Sequence, residues 1–168
     1  MNQEITSAAT TRNSVSAIVR LGDKLGLWDY LKKVLDIGGG KWNKTTEALA
    51  TRGVESKVYD PYNRTDEENH DAIEWAFDHA EAVIISNVLN VITSIPLRYK
   101  LLQSATKIAP IALITVYEGD KSGKGKQTRD GWQENRRIST YIDELAPHYR
   151  KINKHNNILI CTKHPNVL

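Results

Sequence analysis

Residues 33–40 read Lys33-Val34-Leu35-Asp36-Ile37-Gly38-Gly39-Gly40. A short apolar run that stops on three glycines predicts a buried strand followed by a tight turn. Downstream, Asn43 is placed to cap a helix that carries Ala48, Leu49 and Ala50 and stops at Gly53. Residues 56–60 read as a second strand, ended by Pro61. Residues 64–71 are acidic and polar and are expected to form a loop before a helix through Ile73 and Phe77. Residues 82–86 form the strongest strand pattern, and Pro96 suits the first turn of a helix carrying Leu97, Leu101, Leu102 and Ala105. Residues 111–117 read as a fourth strand, 118–131 as a Gly- and Lys-rich loop, and 132–145 as a helix. Residues 149–154 and 158–162 read as two strands joined by a turn at 155–157.

Upstream of the opening strand, Ala17, Ile18, Leu21, Leu25 and Leu27 have helical spacing interrupted at Gly22 and Gly26, which predicts one or two short helices between Ser14 and Lys33. Residues 1–13 are polar and expected to be a flexible N-terminus, with residues 14–168 forming one domain. Strands alternating with helices predict an α/β fold. The expected form is a Rossmann-like, mostly parallel sheet with helices on both faces and a C-terminal antiparallel hairpin. In such sheets ligands bind beyond the carboxyl ends of the strands, where strand order reverses. The glycine turn is expected there.

Composition agrees with a globular chain. It has 168 residues, of which 40% are apolar and 26% charged, with no apolar run near the roughly 20 residues that span a bilayer. The opening residues lack an apolar core, so no secretory signal is expected. Cys161 is the single cysteine, which leaves no internal disulfide and suggests a reducing, cytoplasmic compartment. Residues 1–120 hold 13 Lys and Arg against 16 Asp and Glu, whereas residues 121–168 hold 10 against 4. A basic C-terminal third suits a polyanion such as nucleic acid, and equally a solvated surface. The five histidines show no metal-ligand spacing, so no metal is expected.

Asp60 follows Gly40 by 20 residues. Glycines allow a sharp turn and a close ligand approach, and an acid after the second strand can accept hydrogen bonds from ribose hydroxyls. A dinucleotide fingerprint is incomplete, because Asn43 stands where its last glycine belongs. A phosphate-binding P-loop fails, because Trp42 follows Lys41. Gly38–Gly40 also reads as a plain tight turn, and Asp60-Pro61-Tyr62 as a plain loop.

The stretch Asp36-Ile37-Gly38-Gly39-Gly40, followed by Asp60, resembles the first two motifs of class I S-adenosylmethionine-dependent methyltransferases. Residues 85–92 (Ile-Ser-Asn-Val-Leu-Asn-Val-Ile) and 128–136 (Thr-Arg-Asp-Gly-Trp-Gln-Glu-Asn-Arg) resemble a group of small methyltransferase-like proteins found in phages and beside DNA-modification systems. The resemblance implies a shortened class I methyltransferase fold, in the host cytoplasm if the chain is phage-encoded. Asp36 would hold the glycine loop and face the methionine amino group, with Gly38, Gly39 and Gly40 passing under the cofactor. Asp60 would bind the ribose, Pro61 or Tyr62 would pack on adenine, and Ser86 and Asn87 would lie under the methyl sulfonium. Trp42 replaces the family's third glycine, and the third strand is not visible; Asp78, the nearest acid, is poorly placed for adenine. Asp60-Pro61-Tyr62-Asn63 is similar to the Asp-Pro-Pro-Tyr box of amino-methyltransferases, but lacks a proline and follows the wrong strand.

Methyl transfer then requires alignment and removal of a proton, for which Asn87, Tyr117 and Glu118 are the candidates. Lys121, Lys124, Lys126, Arg129, Trp132 and Arg136 are the candidate nucleic-acid contacts, with phosphates on the cations and a base on the indole. Trp132 reads alternatively as the packed start of a helix. Three functions remain open: a methyltransferase acting on nucleic acid or a nucleotide-like acceptor, a non-catalytic cofactor- or partner-binding phage accessory protein, and an enzyme that degrades S-adenosylmethionine.

Overall fold

The computed structural model describes residues 13–128 and 131–165. Two short helices, α1 (Ala17–Lys24) and α2 (Leu27–Tyr30), precede strand β1 (Lys33–Ile37). Then come α3 (Lys44–Ala50), β2 (Glu55–Tyr59), α4 (Asp66–His79) and β3 (Ala82–Ser86). A 3₁₀ turn (Leu89–Val91) leads to α5 (Ile95–Ile108) and β4 (Ile111–Thr115). A small hairpin of β5 (Lys126–Thr128) and β6 (Gly131–Gln133) follows, then a second 3₁₀ turn (Ile138–Tyr141), α6 (Ile142–Leu145), β7 (Lys151–His155) and β8 (Ile158–Thr162).

The main sheet has the order β2-β1-β3-β4-β8-β7. The first four strands pair in parallel, and β8 and β7 add antiparallel pairing at one edge. The expected α/β architecture therefore stands. The chain goes from β1 to β2 on one side and returns through α4 to β3 on the other. Strand order thus reverses between β1 and β3, at the glycine turn. Among the described residues no strand lies outside β2, in keeping with the third strand not visible in the sequence.

Alternation divides the strand residues between two cores. Leu35, Val83, Ile85, Ala112 and Ile114 face α4, α5 and α6, joined by Leu102, Tyr141 and Leu145. Val34, Ala82, Ile84, Ile111 and Leu113 face α1–α3, joined by Ile18, Val19, Trp28 and Leu49. Gly22 is required where α1 meets α2: a Cβ there would fall 2.3 Å from the Trp28 ring.

Five expectations change. Residues 66–71 are helical, because Thr65 and Glu68 form a reciprocal capping box and three acids occupy the first turn of α4; acids there oppose the helix dipole. Asn43 does not cap α3 with its side chain, which instead accepts 2.7 Å from Arg64. Residues 132–145 are not one helix. Trp132 and Gln133 pair with β5, Asn135 takes a positive φ of 52°, and only a 3₁₀ turn and one short helical turn follow. Trp132 therefore starts no helix. The 118–131 loop contains β5, and β4 ends at Thr115 rather than residue 117. Among the described residues no helix is long and apolar enough to cross a membrane.

Candidate functional site at the carboxyl edge of the sheet

Gly38 and Gly40 have φ of 76° and 75°, a region costly for residues with a Cβ. A Cβ on Gly38 would lie 2.5 Å from Val88 Cγ2, so the turn after β1 packs against the segment after β3. Gly39 is equally constrained: its Cβ would meet Asp36 Oδ2 at 2.7 Å.

Asp60 and Arg64 fasten this turn. Gly40 N donates 2.9 Å to Asp60 Oδ2, while Tyr62 N and Asn63 N donate 3.0 and 3.1 Å to Oδ1. The Asn63 side-chain amide lies 3.1 Å from both oxygens. Arg64 Nε donates 2.9 Å to the Gly40 carbonyl. Asp60 is buried, and in this arrangement its carboxylate serves the loop. Pro61 and Tyr62 are exposed beside it, as is Trp42 on the facing segment.

Asp36 is the contrasting acid. It is 3% exposed, and its Oδ1 is buried with no hydrogen-bond partner. Burial, reinforced by the Asp60 charge and opposed by Arg64, pushes its carboxyl up to about 7. An unpartnered buried carboxylate oxygen is an acceptor suited to a cationic or hydrogen-bond-donating ligand group.

Ser86 and Thr115 end β3 and β4 on the same face as Asp36. Their hydroxyls lie 3.0 Å apart, and Ser16 Oγ donates 2.8 Å to Ser86 Oγ. Asn87 takes a positive φ of 59° and donates its N–H 2.9 Å to the Thr115 carbonyl, leaving its side chain exposed at the edge. Tyr117 is exposed just after β4. Its carbonyl accepts 2.7 Å from Gln133, which itself accepts 3.1 Å from Asn90. Asn90 thus ties the 3₁₀ turn after β3 to β6. Glu118 accepts 2.8 Å from Ile138 N and pairs with Lys121 at 3.4 Å. The Ile138 bond holds it below the ordinary carboxylate value, which makes it a weak base.

The basic residues separate into two groups. Lys121 and Lys124 are exposed on the loop that leads into the hairpin, and Lys126 is exposed at the start of β5. Arg136 turns inward: it stacks over the Tyr141 ring at 3.8 Å and donates to Glu144. Arg98, 2% exposed, donates to the same carboxylate at 2.7 and 3.2 Å and lies 3.5 Å from Glu134. Burial pushes Glu144 up, but the two guanidinium groups hold it below its ordinary value. Trp132 donates 3.0 Å to Glu134. The expected contacts Trp132 and Arg136 are thus committed to the hairpin base. Arg129 lies outside the described residues.

Sequence reading missed Ser16, Thr115, Arg64 and Arg98. For Thr115 a signal existed: a polar residue ends an apolar strand on the face of Asp36 and Ser86. The others act across long sequence separations and leave no local pattern. An open surface concavity of about 500 Å³, lined in part by His148, Arg150 and Lys163, lies at the opposite edge of the sheet. Among the described residues no group of three or more His, Cys, Asp or Glu is arranged to hold a metal.

No family model matches the chain, and no curated protein matches it. Solved structures do. SibL, described as an S-adenosylmethionine-dependent methyltransferase in its apo form, superposes with a TM-score of 0.58 at 15% identity over 86% of this chain. This chain covers 55% of SibL, about half its length. DesVI of Streptomyces venezuelae gives a TM-score of 0.58 at 7% identity, covering 97% of this chain and 93% of DesVI. The N-terminal domain of EvdMO1 with SAH bound gives 0.50 at 13% identity, covering 86% and 78%. The chain shares its α/β fold with these structures. At these identities the likeness establishes architecture, and within it the glycine turn occupies the point where strand order reverses.

Proposed function

We propose that the protein is an S-adenosylmethionine-dependent methyltransferase. The observation that carries this reading is the unpartnered, buried Asp36 Oδ1 beside a positive-φ glycine turn at the switch point. Asp36 fits a ligand with a cationic amine, and Gly38 and Gly40 fit close passage of its backbone-facing side. Pro61 and Tyr62 supply an exposed surface for adenine. When bound, the cofactor supplies a methyl group already activated on a sulfonium. The chain's task is then to orient the acceptor and exclude water. Asn87 and Tyr117, exposed after β3 and β4, are the candidates to orient it.

The acceptor we propose is nucleic acid or a nucleotide-like molecule. Lys121, Lys124 and Lys126, exposed on the hairpin and the loop before it, which leave the same edge, support it, as does the subgroup resemblance. A reducing, cytoplasmic setting is part of this proposal. The test is incubation with methyl-labelled cofactor and oligonucleotides or nucleotides: labelled acceptor is expected. Binding without product would favour the non-catalytic reading, which the engaged Asp60 carboxylate and Trp42 in place of a glycine support. Labelled fragments without acceptor would favour degradation of the cofactor.

A further inference from the structure

The side chains at the ends of β3 and β4 are not capped by solvent alone. Ser16, the cap of α1, makes three bonds, one of them to the end of β3. Its Oγ donates 2.8 Å to Ser86 Oγ and accepts 3.3 Å from Ile18 N, while its N–H donates 3.0 Å to Thr45 Oγ1. Ser86 lies 3.0 Å from Thr115 Oγ1. Thr45 is 8% exposed and belongs to α3, the helix that follows the glycine turn. One serine therefore joins the start of α1 to the turn helix and to two strand ends. Ile18 and Val19, fully buried two and three residues further on, anchor α1 against the sheet.

We infer that Ser16 is a positioning residue of the cofactor crevice, and that α1 is one of its walls. Strand alternation places Asp36, Ser86 and Thr115 on the face that α1 covers. A ligand group reaching Asp36 at the switch point meets a hydroxyl row whose geometry Ser16 sets. Hydroxyl chains of this kind act as a unit, because each proton's direction fixes the next. The inference rests on the cofactor reading above.

The test is calorimetric titration of the full chain with S-adenosylhomocysteine, paired with thermal melts. Ser16→Ala should weaken binding about 5- to 20-fold, and Ser16→Thr, which keeps the hydroxyl, should restore most of it. Ser86→Ala removes the same bond from the other side, and adding Ser16→Ala to it should cost little more. A lowered melting temperature with unchanged affinity in Ser16→Ala and Ser86→Ala would make the bond merely structural and overturn the inference, as would additive losses in the double variant. If Ser16→Ala does not fold, Ser16→Gly, which keeps a favourable N-cap residue and removes the hydroxyl, decides by the same affinity criterion. A wild-type chain that does not bind at all overturns the cofactor reading instead, and the inference with it.

Discussion

The turn after β1 and the hairpin after β4 leave the same edge of the sheet and use charge in opposite ways. At the turn, Asp60 and Arg64 are drawn inward onto backbone groups of the glycine loop. At the hairpin and the loop leading into it, Lys121, Lys124 and Lys126 are exposed, while Arg136 at the hairpin base joins Arg98 and Glu144 in a partly buried network. Residue type follows the division. The buried and half-buried cations of the turn and the hairpin base are arginines, whose planar forks satisfy several acceptors at once; the exposed cations beside them are lysines, which hold water well even where, as at Lys121, they pair with an acid. Charge counted along a sequence therefore overstates the surface a polyanion meets. Of six candidate contacts, three are exposed on the hairpin and the loop before it, with Lys121 paired to Glu118, two serve the hairpin base and Arg129 lies outside the described residues.

The strongest way to break this contrast is to strike the network under the hairpin. Arg98→Ala leaves Glu144 with Arg136 alone and removes the cation beside Glu134, so unfolding in urea should show a loss of about 3–5 kcal/mol. Lys-to-Ala changes on the hairpin should show nothing comparable.

At the turn, Asp36 offers the next largest effect. Its folded carboxyl lies at about 7, above its unfolded value, so between about pH 4 and 7 the folded state holds a proton that the unfolded state has lost. Its contribution to stability is present below that window and lost as pH rises through it, at up to about 1.4 kcal/mol per unit. Asp36→Asn should flatten this slope and raise stability at neutral pH. Affinity for S-adenosylhomocysteine, which carries the amine, should instead rise with pH through about 7 in the wild type and lose that rise in the variant. A wild-type stability curve flat over this window would contradict the burial argument.

Asp60→Ala removes the acceptor for Gly40, Tyr62 and Asn63. Loss of such charged hydrogen bonds should cost roughly 1–3 kcal/mol, read by denaturation, with weaker binding of the cofactor by calorimetry. The smallest effect on stability belongs to Lys121, Lys124 and Lys126 changed together to Ala, within about 0.5 kcal/mol. Their effect lies in the salt dependence of oligonucleotide binding, whose slope should fall by about 2–3 if all three touch phosphates. A slope left unchanged would remove the hairpin as a nucleic-acid surface.

Much of this fold was legible because parallel strands are buried on both faces and read as apolar runs, as at 82–86 and 111–115. The site was legible where backbone geometry demanded a residue type, at Gly38 and Gly40. It was illegible where one chemistry has two uses. The acids at 66–68 looked like a solvated loop and instead begin a helix. Arg136 looked like a phosphate ligand and instead neutralises Glu144. The partner that decides, Thr65 or Glu144, does not stand out in a one-dimensional pattern. Ser16 is harder still, since its partner Ser86 lies 70 residues away.

Cys161 is the penultimate residue of β8, fully buried, and burial pushes its thiol up to about 12. A thiol that is both covered and undissociated reacts with a disulfide reagent only when the strand around it opens. As the sole cysteine, it makes the chain its own stopwatch. The rate at which a colorimetric thiol reagent consumes it, followed without denaturant, measures how often the sheet comes apart, and ligands that hold the folded state should slow that clock in proportion to their occupancy.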